Sequence, residues 1–126
     1  MKKAVIDMGT NSTRLAVAAW NGENLDMVCN EVAETRLGEG MGEVRQIQPV
    51  PLARNVEAVQ RFVQKARALG AAEVRITATS AVRDAANQEI VRQAIGQAAG
   101  IPLEVLPGTE EARLSYLGAS GDFLHL

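Results

Sequence analysis

Three short polar segments carry the residue types that could do chemistry in this chain. They are Asp7 to Arg14, Thr77 to Asn87 and Pro107 to Arg113. Each segment follows a short apolar run that is typical of a buried strand. Ligand-binding groups in sheets with parallel strands collect at the carboxyl ends of those strands. We therefore expect the three segments to line one cleft.

The first segment reads DMGTNSTR and combines a carboxylate, a glycine and several hydrogen-bond donors. Asp7 follows three aliphatic residues, so its carboxylate should emerge at the end of a buried strand, where it needs a partner. The glycine lets other groups approach the backbone closely. Backbone N–H groups in such a turn can form a concave anion site, to which Arg14 could add a charge-assisted contact. An ordinary hairpin tip explains the same residue types equally well, because Asp, Gly, Asn and Ser are common in turns.

The second segment places hydroxyl side chains at the end of an apolar strand. Thr77, Thr79 and Ser80 are followed closely by Arg83. Hydroxyls and an arginine at a helix N-terminus suit a phosphate, because the first amides of a helix are unpaired and its dipole is positive there. Taken alone, the segment favours a simpler alternative, in which Thr79 or Ser80 only caps the helix and Arg83 is solvated.

The third segment, PGTEEARL, places Glu110 and Glu111 in the first turn of a predicted helix. Their favourable interaction with the helix dipole, typically ~0.3–1 kcal/mol, explains acidic residues there without catalysis. A glutamate that stays ionised at this position could also accept a proton from water. Hydrolysis beside bound phosphates would need such a base.

The first third of the chain predicts a three-stranded antiparallel meander. The apolar runs Ala4 to Ile6 and Arg14 to Trp20 flank the polar tip of a hairpin. A third strand, Leu25 to Val32, follows an Asn-Gly pair at residues 21 and 22, which is a strong signal for a hairpin turn.

A loop and a long helix are predicted next. Residues 38 to 51 contain three glycines together with Pro49 and Pro51, which interrupt regular elements and indicate a loop. Apolar residues at spacings of three and four then predict an amphipathic helix from Leu52 to Leu69, which ends at Gly70.

The remaining elements alternate between strands and helices. Glu73 to Ala78 and Leu103 to Leu106 are predicted strands, and between them the buried apolar stripe of a second helix runs from Ile90 to Ala98. Asn87 is a candidate N-cap of that helix, and Thr109 of a last helix. The order βββαβαβα, with right-handed helical crossovers, predicts an α/β fold: a mixed sheet of about five strands with flanking helices.

Bulk composition restricts the classes of function. At 126 residues and 47% apolar content, the chain suits one small domain with a real core. The net charge of −2 is spread along the chain, so no broad basic face for a nucleic-acid polymer is expected. Cys29 and His125 are the only residues of their types, which argues against a disulfide framework or a structural zinc site.

No segment has the pattern of a membrane or export signal. Lys2 and Lys3 precede an apolar run, but Asp7 ends that run far short of the hydrophobic region of a signal peptide. No other run approaches the roughly 20 apolar residues that span a bilayer. We therefore expect a cytoplasmic protein with no membrane partner.

The three polar segments together resemble a known enzyme family. DMGTNSTRL, ATSAVRDAAN and GTEEARLSYLG, in this order and spacing, are similar to the exopolyphosphatase and guanosine pentaphosphate phosphohydrolase family. RLGEGM, at 36 to 41, resembles the loop that follows the third strand in that family. The family is a branch of the superfamily that contains actin, sugar kinases and heat-shock chaperone ATPases. A lone DxGT motif indicates only the superfamily, whereas the three segments together are specific.

The resemblance implies an RNase H-like, actin-like ATPase half-domain that hydrolyses a terminal phosphoanhydride of inorganic polyphosphate or guanosine pentaphosphate, usually with Mg²⁺. It implies that Arg83 is an active-site arginine and that Glu111 activates water. Asp7 could also hold the metal through a water molecule, since Mg²⁺ keeps several waters and takes few carboxylates. The residues that fall on the first phosphate-binding motif of the family are Asp7, Gly9, Thr10, Asn11, Ser12 and Arg14.

The resemblance also predicts that residues 1–126 are the first half of a longer phosphatase. Members of the family continue with a second glycine-rich phosphate motif, and the active cleft lies between the two halves. We therefore expect the 126-residue chain to have negligible activity alone, because phosphoryl transfer needs charge from several directions. Its expected partners are the missing C-terminal half, the phosphate substrate and, through the exposed half-cleft, a second copy of the chain.

Two other functions stay open at this point. An ATP-binding kinase or ATPase of the superfamily would explain DMGT equally well, but it would leave Arg83 and the glutamate pair unexplained. A non-catalytic scaffold fragment is the third hypothesis.

Overall fold

The computed structural model describes residues 1–106, which form a five-stranded mixed sheet with helices. The strands, in chain order, are β1 (Lys2–Met8), β2 (Thr13–Trp20), β3 (Leu25–Ala33), β4 (Ala71–Ala78) and β5 (Leu103–Val105). The helices are α1 (Pro49–Ala68), α2 (Ser80–Arg83) and α3 (Gln88–Ala99). No helix within residues 1–106 is long and apolar enough to cross a membrane.

The strand order across the sheet is β3-β2-β1-β4-β5. The meander β1 to β3 is antiparallel, and β4 and β5 add to it in parallel with β1. The predicted α/β fold and the five-stranded mixed sheet are therefore confirmed. The predicted helix from Thr109 lies outside the described residues.

The core lies between one face of the sheet and the helices α1 and α3. Side chains alternate along β1, so Ala4, Ile6 and Met8 face these helices while Val5 and Asp7 point to the opposite face. Helix α1 contributes Val59, Phe62, Val63 and Ala66 to this core, and α3 contributes Val91 and Ile95.

The loop observed after residue 38 ends earlier than the predicted loop of residues 38 to 51. Helix α1 begins at Pro49, so both Pro49 and Pro51 lie in its first turn. Proline fits there because the first amides of a helix have no partner within the helix. At the other end, Gly70 follows the helix with φ +90, as the predicted glycine stop requires.

The second predicted helix is confirmed as α3, with Asn87 at its N-cap position, but its buried face is narrower than expected. The single turn α2 precedes it as a separate element. Val91 and Ile95 are fully buried, but Ile90 is 57% exposed. The helix packs at the side of α1, so only one stripe of its apolar residues meets the core.

Candidate functional site

The turn between β1 and β2 has backbone amides without partners among the described residues. The Gly9 amide donates to the Ser12 carbonyl at 2.9 Å and closes the turn. The amides of Thr10, Asn11 and Ser12 make no hydrogen bond to any residue of 1–106. Consecutive free amides of this kind form a concave site that suits an anion.

The loop after β3 packs against this turn and fixes its backbone. The Gly38 amide donates to the Thr10 carbonyl at 3.1 Å, and the Arg36 amide donates to the Asn11 carbonyl at 3.0 Å. A Cβ on Gly38 would lie 2.7 Å from Cγ2 of Thr10. A side chain at residue 38 would therefore displace the Thr10 side chain, a contact that sequence reasoning saw only as part of a loop.

A hydroxyl pair joins the first two polar segments. Thr10 Oγ1 and Ser80 Oγ are 3.3 Å apart, although 70 residues separate them in the chain. The parallel pairing of β1 with β4 places the ends of both strands side by side, with Met8 opposite Ala78. The expected convergence of these two segments is therefore confirmed.

The Arg83 guanidinium is bound by Asp84, and one of its nitrogens has no hydrogen-bond partner among the described residues. Its Nε and Nη2 donate to the two carboxylate oxygens of Asp84 at 3.1 and 3.2 Å. Its Nη1 is buried without a hydrogen-bond partner in the described part of the chain. A buried donor without a partner is costly in free energy, so this atom marks a place where a ligand oxygen would be stabilised. Hydrogen bonds from Arg83 also hold the pKa of the Asp84 carboxyl below its usual range.

The expected helix dipole is not a feature of the second segment. The helix that begins at Ser80 has only four residues, so it has no long row of aligned peptides. Thr79 occupies the N-cap position without a capping hydrogen bond from its side chain. The chemistry of this segment therefore comes from the side chains of Ser80, Arg83 and Asp84.

Asp7 lies within β1, one residue before the strand ends. Its side chain is on the sheet face opposite α1, and the residue is 6% exposed. Its Oδ1 accepts a hydrogen bond from Thr77 Oγ1 at 3.2 Å. Arg14 is its cross-strand neighbour on β2 and is exposed to solvent. Both residues therefore lie near the carboxyl end of β1, as the sequence predicted.

A cavity of about 290 Å³ opens beside the hydroxyl pair. Of the residues predicted from the first motif, only Thr10 lines it among the described residues. Sequence reasoning missed most of its wall, which comes from the loop after β3 and from the residues next to Ser80. The lining residues are Thr10, Gly38, Met41, Gly42, Arg45, Ser80, Ala81 and Asp84.

The loop wall of the cavity is fastened to the turn between α2 and α3. The Ala86 amide donates to the Arg45 carbonyl at 2.8 Å. Asn87 Oδ1 accepts from the Ile47 amide, and Asn87 Nδ2 donates to the Ile47 carbonyl, both at 2.9 Å. Asn87 does occupy the N-cap position of α3, but its side chain makes no capping bond because it serves this loop instead.

Strand β5 ends beside the end of β4. The Leu106 amide donates to the Ala78 carbonyl at 2.8 Å, so the chain leaves β5 beside the end of β4. Pro107 to Arg113, with Glu110 and Glu111, lies outside the described residues. The assignment of Glu111 as the base therefore stays a prediction.

The described residues offer a magnesium ion one carboxylate rather than a complete cage. No group of three or more His, Cys, Asp or Glu side chains within residues 1–106 could hold a metal ion. Asp7, one residue before the end of β1, is the carboxylate that the sequence assigned to this role. One carboxylate suits Mg²⁺, which keeps several waters and takes its other oxygens from phosphates.

The curated proteins that this chain resembles are named as phosphatases of polyphosphate or of a guanosine nucleotide. The chain is 36% identical to exopolyphosphatase 2 of Mycobacterium tuberculosis over 129 residues, covering 94% of this chain and 40% of that protein. It is 27% identical to a guanosine-5'-triphosphate,3'-diphosphate pyrophosphatase of Vibrio vulnificus, covering 93% of this chain and 24% of the other. The chain therefore spans less than half the length of the curated relatives it matches.

Solved structures with a similar fold belong to the same group of proteins. The crystal structure of the Aquifex aeolicus member of the Ppx/GppA family superposes with a TM-score of 0.84 and 26% identity, covering 94% of this chain and 39% of that one. The fold is thus that of the actin-like ATPases. The model of the Ppx/GppA phosphatase family matches residues 16–125, which is most of the sequence. The chain belongs to the Ppx/GppA phosphatase family.

Proposed function

We propose that this chain is the phosphate-binding part of a phosphohydrolase that removes the terminal phosphate of inorganic polyphosphate or guanosine pentaphosphate. One observation carries the proposal: the hydroxyls of Thr10 and Ser80 meet at 3.3 Å beside a cavity. Arg83, which is bonded to the cavity residue Asp84, keeps a buried nitrogen without a partner among the described residues. Its relatives named as an exopolyphosphatase and a guanosine pyrophosphatase support the substrate class.

The terminal phosphoryl group would lie between the first two polar segments. The free amides of residues 10 to 12 and the hydroxyls of Thr10 and Ser80 donate to its oxygens. Arg83 Nη1 supplies a charge-assisted hydrogen bond, which is shorter and stronger than a neutral one. Donors fixed in place before the reaction stabilise the charge that develops on these oxygens in the transition state.

Glu111 is the proposed general base. It accepts a proton from a water molecule while the water oxygen bonds to the terminal phosphorus. The anhydride bond to the bridging oxygen breaks, and that oxygen leaves with the electron pair on the shortened chain. The products are orthophosphate and a phosphate chain that is one unit shorter.

Asp7 is the residue that would hold Mg²⁺ through water. When bound, the ion would neutralise part of the negative charge on the phosphate oxygens. The burial of Asp7 and its hydrogen bond from Thr77 keep the carboxylate in a fixed position for this role.

The complete site requires more than residues 1–126 in this proposal. The chain covers 40% of the length of its exopolyphosphatase relative, and the opposite wall of the cleft would come from a C-terminal half. We further propose that the protein works in the cytoplasm and that the exposed half-cleft of the isolated chain favours a homodimer. Family membership makes a hydrolase the better proposal than a kinase or a scaffold.

The proposal is tested with the parent protein, in which this chain is followed by the rest of a family member. Orthophosphate release from polyphosphate and from guanosine pentaphosphate is measured for the unaltered protein and for Glu111→Gln. A positioned base typically contributes about 10²–10⁴-fold to the rate, so the turnover of Glu111→Gln should be lower than that of the unaltered protein by a factor in this range.

Glu110→Gln is the matched control, because it removes the same charge one residue away. We expect its turnover to stay close to that of the unaltered protein. Equal losses in the two variants would remove Glu111 from its proposed role, and no phosphate release by the unaltered protein from either substrate would refute the proposed function.

A further inference from the structure

Two opposite charges line the cavity beside the hydroxyl pair. Among its described lining residues, Arg45 carries the one positive charge and Asp84 the one negative charge. We propose that Arg45 binds the phosphoryl group next to the terminal one and thereby selects linked phosphates over orthophosphate. This inference rests on the proposed function, because it takes the hydroxyl pair as the site of the terminal phosphate.

The backbone of Arg45 is held firmly at the rim of the cavity. Its amide donates to the Gly42 carbonyl at 3.2 Å, and its carbonyl accepts from the Ala86 amide at 2.8 Å. Its φ of 52 lies in the left-handed region, which is uncommon for residues other than glycine. Such a conformation persists only where surrounding contacts fix it, and it is found often at ligand sites.

The guanidinium of Arg45, in contrast, is held loosely. Its side chain is 66% exposed, and its Nη1 is 3.7 Å from the nearest oxygen of Asp84, beyond hydrogen-bond distance. Arg83 already makes both close contacts to that carboxylate. Exposed ion pairs contribute little stability, so Arg45 can leave Asp84 for a phosphate at small cost.

The position of Arg45 suits the second phosphoryl group rather than the first. Thr10 and Ser80 form a bonded pair in the lining, whereas Arg45 reaches the cavity from the loop after β3 and makes no hydrogen bond to either hydroxyl. Orthophosphate held by the hydroxyl pair would not need this wall, whereas a chain of phosphates has to continue past it. A guanidinium can also bind two phosphate oxygens in a fork, which an ammonium cannot do.

The test measures binding of two anions to the parent protein at low ionic strength by isothermal titration calorimetry, with Glu111→Gln as the common background so that tripolyphosphate is turned over slowly. The probes are tripolyphosphate and orthophosphate, and the variants are Arg45→Gln, Arg45→Gly and Arg45→Lys. Glycine adopts a left-handed backbone without strain. If Arg45→Gly and Arg45→Gln lose the same tripolyphosphate affinity, backbone strain at residue 45 is therefore not the cause. Loss of one charge-assisted contact should weaken tripolyphosphate binding about ten-fold in both, and leave orthophosphate binding unchanged. Arg45→Lys should fall between them and the background protein.

Arg36→Gln is the matched control. Arg36 also has a left-handed backbone, with φ 48, and an exposed ion pair, to Glu39 at 3.5 Å. It does not line the cavity. We expect its binding of both anions to stay within about two-fold of the background protein, because an exposed pair contributes little.

The outcomes separate this inference from the proposed function. Equal tripolyphosphate affinity in Arg45→Gln and the background protein would overturn the role of Arg45 alone. An equal loss in Arg36→Gln would overturn it as well, because the effect would then be one of general charge. If the background protein bound neither anion, the phosphate site itself would be refuted. Melting temperatures of all variants confirm that each is folded before titration.

Discussion

Two clusters of polar side chains lie close to the turn between β1 and β2, and they differ in how well they are satisfied. The first is a closed cluster of Thr13, Thr35 and Asn55, all buried. Thr13 Oγ1 donates to Asn55 Oδ1 at 2.8 Å and lies 3.0 Å from Thr35 Oγ1. Asn55 Nδ2 donates to the Pro51 carbonyl at 3.0 Å. Each side chain of this cluster has a partner within it.

The second, open cluster is the hydroxyl pair of Thr10 and Ser80, which is exposed and lines the cavity. Arg83 follows Ser80 by three residues and has the one buried side-chain nitrogen within residues 1–106 without a hydrogen-bond partner. Only two residues lie between Thr10 and Thr13, so the two clusters adjoin the same turn. The difference teaches that satisfied, buried polar groups here fasten the fold, whereas the exposed hydroxyls at the cavity are available to a ligand.

The largest expected effect comes from breaking the closed cluster with Asn55→Ala. The Thr13 hydroxyl would lose its acceptor while staying buried, so the free energy of unfolding should fall by about 2–3 kcal/mol. Ser80→Ala removes a hydroxyl from the open cluster and should change that free energy by no more than about 0.5 kcal/mol. Urea denaturation measures both. A similar loss in the two variants would abolish the distinction between the clusters.

A smaller effect is expected from Gly38→Ala, which acts on the open cluster through its support. The new Cβ would overlap Cγ2 of Thr10, and the forced shift should cost about 1–2 kcal/mol and weaken orthophosphate binding. Gly96→Ala is the matched control in α3, because its Cβ meets nothing within 4 Å. That control should be stabilised by up to about 1 kcal/mol, since alanine favours a helix over glycine. Normal phosphate binding in Gly38→Ala would show that Thr10 does not depend on this contact.

The smallest expected effect is the pH dependence of the Asp84 contact with Arg83. Because hydrogen bonds from Arg83 lower the pKa of Asp84 in the folded state, its contribution to stability is complete above the usual Asp range. The contribution is lost as the pH falls through the lowered pKa. Thermal unfolding from pH 6 into the acid range should therefore show a slightly steeper loss for the unaltered chain than for Asp84→Asn. Parallel curves would mean that this pair adds no stability.

Local patterns were sufficient for most of the elements. Alternation and helical spacing predicted all five strands and the two long helices, because burial of one face imposes those periods. The prolines at the start of α1 misled the prediction, since proline disrupts a helix interior but fits its first turn. The sequence placed a helix start at Thr79 or Ser80, but it did not show that this helix ends after one turn, because four residues are too few to show a period.

The candidate site was predictable only in part. Ser80 and Thr10 stood out because hydroxyls followed strands that end together. Asn55 could have been noticed as an amide within the apolar face of a helix. Asp84 and Arg45 carried no such signal, since charged residues in loops are usually solvated.

The sequence by itself determined the strands, the helices, the family and the identity of the polar segments, because these depend on residue type and spacing along the chain. Only the tertiary structure decided that the hydroxyls of Thr10 and Ser80 meet, that Gly38 packs closely against Thr10, and that Arg45 borders the same cavity. The physical reason is that parallel pairing of β1 with β4 and packing of the loop after β3 join residues far apart in the chain. No local pattern encodes such distances.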